Sequence, residues 1–235
     1  PSTLESVRDR GVVRCGASDD RTSSFRGEDG RWYGFEVDFC RAVAAAVLGS
    51  AERIEIVQVT PQNRFQALLS TDIEVLFANL TWTYTREVAQ PVDFAAIVSY
   101  DGQGFLGKRP AAGPRLADNP NAVVCVMKGT TTETNLAEYL RANAPTWHSL
   151  AVNTDRGRDE AFEQGRCTIV TNDYSSLASY KALTDSPDLV LYPDIISKEP
   201  LSAAVRSARH RWLTLRGAMI ASPMIRPNFS PLSIW

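Results

Sequence analysis

Apolar positions along the first third of the chain switch between helical and strand periods. Leu4 to Arg10 reads as a short helix stopped by Gly11, and Val12 to Gly16 as a first strand. Ala17 to Arg31 is a polar loop holding Asp19, Asp20 and Phe25, and a connection that long is often functional. The pattern then turns helical over Phe35 to Leu48. Phe35, Phe39, Val43, Ala46 and Val47 fall largely on one face, and Gly49 suits a C-cap. Ile54, Ile56 and Val59 alternate as in a half-buried strand. Pro61 to Ser70 reads as a helix with Phe65, Leu68 and Leu69 inward, and Ile73 to Phe77 as the third strand. The order β-α-β-α-β predicts an α/β protein with a mostly parallel sheet. Ligands in such folds sit beyond the carboxyl ends of the strands. The loops after Gly16 and Ala78 lie at that end, so Asp19, Asp20, Phe25, Thr81 and Arg86 are expected around one cleft.

The pattern changes at Tyr100 to Pro114, where six glycines and prolines are expected to break regular structure, with Phe105-Leu106 a short strand crossing into a second lobe. Val123 to Met127 reads as a strand. A helix follows Gly129-Thr130-Thr131-Thr132-Glu133, with Thr131 or Thr132 as cap and free N–H groups that favour an anion. A short helix ends at Gln164, and Cys167 to Val170 is a strand leading to Asp173 and a helix that reaches about Leu183. Leu189 to Tyr192 is a strand, and Ile195 to Ala204 leads back to the first lobe. His210 to Ile220 looks helical, with Trp212, Leu215 and Met219 on one side; the proline-rich stretch from Ser222 reads as a surface tail or as disorder.

Composition narrows the class. The chain has 235 residues, 44% of them hydrophobic, and a net charge of -2, ordinary for a globular protein. No run approaches the ~20 apolar residues of a membrane span. The pI of about 5.8, with scattered Lys and Arg, argues against a nucleic-acid partner. The start, Pro1-Ser2-Thr3-Leu4-Glu5, shows no signal peptide, which leaves a cytosolic protein or a mature secreted form. Cys15, Cys40, Cys125 and Cys167 include no CxxC pair, so a zinc site is not expected; neither is any cofactor. Four cysteines in two groups suit two disulfides in an oxidising compartment, with three connectivities open and four buried thiols the alternative.

The chemistry concentrates in Asn79-Leu80-Thr81-Trp82-Thr83-Tyr84-Thr85-Arg86. A guanidinium among hydroxyls past a strand end can fork onto a carboxylate. The alternative is an exposed arginine in a turn. Asp173 can accept hydrogen bonds from a ligand ammonium, or it can cap the helix at Ser175. Thr130 to Glu133 can bind an anion or serve only as capping chemistry. For an enzyme, Asp19, Asp20 or Asp173 could act as general acid. No Ser-His-Asp or Cys-His arrangement follows from sequence order, and both histidines, His148 and His210, lie away from the cleft loops.

Arg14-Cys15-Gly16, Gly34 to Val43, Arg64-Phe65-Gln66-Ala67-Leu68, Asn79 to Arg86, Tyr100 to Phe105, Gly129 to Glu133, Gly165-Arg166-Cys167 and Ile196 to Leu201, in that order, carry a resemblance. The chain resembles periplasmic substrate-binding proteins of polar amino acid ABC transporters, most of all the general L-amino acid group. The resemblance implies a two-lobed periplasmic-binding-protein fold of type II, with residues 1–107 and 194–235 forming one lobe and 108–193 the other. It implies Arg86 on the ligand's α-carboxylate, shared with Thr81, Thr130 and Thr131, and Asp173 on the α-ammonium. Asp19, Asp20, Phe25 and Trp82 would line the side-chain pocket. It pairs Cys15 with Cys40 and Cys125 with Cys167. It also implies an L-amino acid ligand, a membrane permease as partner, a monomer, a periplasmic location and no catalysis. The alternatives are a periplasmic dehydratase acting on a cyclic carboxylate, and a sensor domain that kept ligand binding without transport. Phe77-Ala78 stand where this group usually carries Ser-Arg, and the Asp19 to Phe25 loop is more polar than usual. After about Arg206 the match fades, so a truncated or divergent C-terminal part is expected.

Overall fold

The computed structural model describes residues 2–109 and 115–207. The helix expected at 210–220 and the proline-rich tail lie outside them. The first lobe starts with α1 (Thr3–Arg10), β1 (Val13–Ala17), the short hairpin strands β2 (Phe25–Arg26) and β3 (Trp32–Tyr33), and α2 (Phe35–Leu48). β4 (Ile54–Gln58), α3 (Arg64–Leu69), β5 (Val75–Leu76), α4 (Tyr84–Ala89) and β6 (Val92–Asp101) complete its outward run. The second lobe holds β7 (Gln103–Lys108), β8 (Val123–Met127), α5 (Thr131–Asn143), β9 (His148–Val152), α6 (Asp155–Glu163), β10 (Ile169–Asp173), α7 (Tyr174–Thr184) and β11 (Leu189–Leu191). The chain then returns as β12 (Glu199–Arg206).

Each lobe is built on a five-stranded sheet, ordered β4-β1-β5-β12-β6 in the first and β11-β7-β10-β8-β9 in the second. β1 runs parallel to β4 and β5, while β12 pairs antiparallel with both β5 and β6, so the returning strand stitches the first lobe shut. The expected two-lobed α/β architecture is present.

Several boundaries differ from expectation for physical reasons. Residues 92–108 form two strands where glycines were expected to break the chain, and β7 pairs within the second sheet, so the first crossing falls at Gly102 and not after residue 107. The glycines make room. A Cβ on Gly104 would stand 2.7 Å from the Tyr174 ring, and one on Gly107 would stand 2.9 Å from the Tyr192 hydroxyl. β9, an exposed edge strand, had no predicted counterpart.

α2 has the expected limits but a rotated buried face. Glu36, Val37, Cys40, Ala42, Val43 and Ala44 are buried, whereas Phe35 is 52% exposed and Ala46 is also exposed. The Cys15–Cys40 disulfide pins that face onto β1. Cys125–Cys167 ties β8 to the segment before β10. Each bridge contributes roughly 3–4 kcal/mol by loop entropy. Clusters around Val13, Val43, Phe77 and Val205 and around Leu68, Leu76 and Phe94 fill the first lobe; Phe105, Val124, Leu136 and Ile169 anchor the core of the second. Among the described residues, no helix is long and apolar enough to cross a membrane.

Candidate functional site

The carboxyl ends of β1, β5, β8 and β10 face one another across the lobes. One cleft there is lined from the first lobe by Ser18, Asp20, Arg64, Asn79, Thr81 and Arg86, and from the second by Thr130, Thr131, Thr132, Asp155, Asn172 and Asp173. Arg86 lies in the first turn of α4, which Thr83 caps by accepting the Arg86 N–H at 3.2 Å. One guanidinium nitrogen donates to the Thr81 carbonyl at 2.8 Å. No carboxylate lies within ion-pair distance of Arg86 among the described residues, so the rest of its fork is open. Burial pulls its pKa down while Glu199 and Asp173 oppose that shift; a bound carboxylate would relieve the cost of burying the charge.

Across the cleft, Thr130 caps α5 by accepting the Glu133 N–H at 3.1 Å; the cap is therefore Thr130, not Thr131 or Thr132. The amides of Thr131 and Thr132 begin the helix and have no acceptor within it. The Thr131 hydroxyl lies 3.3 Å from that of Thr81, so the lobes touch at the site. Gln62 donates to the Lys128 carbonyl at 2.8 Å as a second bridge.

Asp173 closes β10 and occupies the N-cap position of α7, yet its side chain makes no capping bond. The residue is buried, and its carboxylate accepts no hydrogen bond from the described residues. Burial, then the charges of Asp101, Glu199, Asp20 and Glu36, raise its pKa well above the ordinary aspartate value. A cation placed there would reverse that shift.

Sequence reasoning missed Arg64. It is buried at the start of α3, donates to the Ala78 carbonyl at 3.2 Å, and its Nε has no partner among the described residues. Burial first, then Arg86, lowers its pKa to about 9, so the group remains cationic at neutral pH. The only signal was its place in the Arg64 to Leu68 motif. Among the described residues, no group of three or more His, Cys, Asp or Glu could hold a metal.

A model of the bacterial extracellular solute-binding proteins, family 3, matches residues 13–205. The chain belongs to this family. It is 40% identical over 214 residues to the glutamate/glutamine/aspartate/asparagine-binding protein of Rhodobacter capsulatus, a match covering 90% of this chain and 63% of that protein. It is 37% identical to the general L-amino acid-binding periplasmic protein of Rhizobium johnstonii, covering 91% of this chain. The chain thus spans 63% of the length of each relative. An ABC transporter/periplasmic binding protein from Brucella ovis, solved with glutathione bound, superposes with a TM-score of 0.86 at 35% identity over 93% of this chain and 68% of that one.

In this solute-binding protein, six of the nine expected ligand residues line the cleft: Arg86, Asp173, Thr81, Thr130, Thr131 and Asp20. Asp20 turns its carboxylate to its own loop, accepting from the N–H groups of Thr22, Ser23 and Ser24 and from Asn79 Nδ2 at 2.7 Å. Asp19 is exposed. Phe25 stacks on Tyr33 in the β2–β3 hairpin. Trp82 stacks on Phe94 and donates to Glu87. These three do not line the cleft.

Glu36 was also missed. It is buried in α2 and accepts the backbone N–H groups of Ala78 and Asn79 at 3.0 and 2.6 Å. Those residues have φ of 91° and 44°, a left-handed bend that aims the following Thr81 at the cleft. Burial and then Asp20 push the Glu36 pKa from 4.5 up to about 8. A carboxyl raised on folding holds its proton longer in the native state. Its stabilisation is therefore complete below the unfolded pKa and is lost as pH rises through the folded one. Thermal unfolding is expected at falling temperature between about pH 4.5 and about 8, with Glu36→Gln, an isostere of the protonated form, showing a shallower fall. An unchanged slope in Glu36→Gln would show that the native carboxyl is ionised throughout.

Proposed function

We propose that this chain captures an L-amino acid between its lobes and delivers it to an ABC transporter permease from the periplasm, without turnover. One observation carries the reading: among the described residues, a guanidinium with no ion-pair partner, Arg86, and a buried carboxylate with no hydrogen-bond donor on it, Asp173, line a single cleft from opposite lobes. Opposite charges that close on one zwitterion are each relieved of their burial cost, and a dry cleft strengthens both pairs. Thr81, Thr131 and the free amides of α5 complete the carboxylate's shell. Ligand binding favours the closed arrangement through contacts made from both lobes at once.

Arg64 supports a narrower class. A second cation with an unpartnered donor favours a side chain ending in a carboxylate or an amide, as the name of the Rhodobacter relative also favours. The cleft encloses about 40 Å³, and Asn79 also lines a second cavity of about 300 Å³ with Ser99, Ser175 and Ser179. Glutathione, bound in the Brucella structure, carries the same ammonium–carboxylate head on its γ-glutamyl end.

Calorimetry with the twenty amino acids and glutathione, on the oxidised chain, tests the proposal. Micromolar or tighter binding, about -8 kcal/mol, is expected for L-glutamate or L-glutamine. Arg64→Met is expected to weaken L-glutamate by roughly tenfold or more while changing L-alanine little, because only the longer ligand reaches that charge. Heat from none of these compounds would reject the reading.

A further inference from the structure

We propose that Asp101, which does not line the cleft, is a positioning residue for the ligand's ammonium: it caps α7 in place of Asp173 and so leaves the Asp173 carboxylate free. This rests on the reading of Asp173 as the ammonium's acceptor.

An aspartate in the N-cap position is ordinarily drawn to the N–H of the second or third helical residue. In α7 those are Ser175 and Ser176, and Asp173 reaches neither. The demand is met from another element. Both Asp101 oxygens accept the Ser175 N–H, at 3.4 and 3.3 Å, and the Ser175 hydroxyl also donates to Asp101. The Gly102 carbonyl accepts the N–H of Tyr174, the first helical residue, at 2.8 Å. Residues 101 and 102, where the chain passes from β6 to β7, thus satisfy the first two donors of a helix 74 positions later.

The crossing is built to hold that posture. The Gly102 N–H donates to Asp101 Oδ1 at 2.8 Å and fixes the carboxylate's direction. A Cβ on Gly102 would stand 2.5 Å from Ile195 Cγ2 and 2.8 Å from the Ser197 carbonyl, so the outward crossing packs against the returning one. Without Asp101, the Ser175 N–H loses its acceptor, and the nearest carboxylate in sequence is Asp173. Turning to cap the helix would take that carboxylate away from the ligand.

The experiment is a double-mutant cycle on the full chain, with L-glutamate as probe and affinity read by calorimetry. Asp101→Ala is expected to weaken binding by roughly tenfold, as for neighbours in one hydrogen-bond network, and to have little further effect in an Asp173→Asn background. Asp101→Asn, which keeps an acceptor but not the charge, is expected to bind nearly as the parent does. Where Asp101→Ala fails to fold, Asp101→Ser, too short to reach both donors, takes its place with the same expected pattern. Equal losses in both backgrounds, or full affinity in Asp101→Ala, would overturn the proposal while leaving the amino acid reading intact. Undiminished binding in Asp173→Asn alone would overturn both.

Discussion

Arg86→Ala is expected to lower the affinity for L-glutamate by roughly 30- to 5,000-fold, the ~2–5 kcal/mol typical of truncating one partner of a buried, hydrogen-bonded charge pair. The size follows from what surrounds the group. Among the described residues its guanidinium bonds only to the Thr81 carbonyl, at 2.8 Å, so the paired donors of its fork are free for the ligand carboxylate, and neutral hydroxyls and amides nearby do not restore their charge. The loss falls on a desolvated anion, because the cleft is walled on both sides by buried strand ends. Arg86→Lys keeps a charge but gives up the paired donors, so it should recover only part of the loss. Affinity within threefold of the parent in Arg86→Ala would show that the carboxylate is held elsewhere.

Arg158→Met is expected to cost about 3–5 kcal/mol of stability, the range for breaking a buried ion pair from one side. Arg158 is buried in α6 and bonded to Asp155 at 2.7 Å and Asp159 at 2.9 Å. Burial opposes its charge, but the two carboxylates outweigh burial and raise its pKa. Removing it leaves two carboxylates together, and Asp155 lines the cleft. Burial already raises the pKa of both in the folded chain, with Arg158 opposing. Without Arg158 both rise further, the native state holds protons that the unfolded chain releases, and stability falls as pH climbs. Urea unfolding should therefore show a larger deficit at pH 7 than at pH 4. Equal deficits at the two pH values would mean that lost packing, not stranded charge, sets the cost.

Elements whose cause is local were legible in advance. α1 ends at Gly11 and α2 at Gly49 because left-handed caps at φ of 76° and 74° favour glycine, whatever the rest of the fold does. β8 was legible because five apolar residues precede a glycine-threonine turn. That Arg86 and the threonines at the start of α5 meet at one cleft was legible because strand-end loops in a βα pattern converge on one edge. The glycines of β7 resemble breakers in sequence because nothing near them reveals Tyr174 and Tyr192, whose rings fill the space a side chain would take.

The division between the two kinds of information runs through Asp173. Periodicity, caps and strand-end position were enough to put a carboxylate at the mouth of β10, because those features depend on residues a few positions apart. Whether that carboxylate would cap its helix was not legible there, because the Ser175 N–H bonds to Asp101, 74 positions earlier. Arg64 and Glu36 follow the same rule. Their side chains acquire a role only once a second segment packs over them and removes the water, and the burial that does this is a property of the assembled lobes.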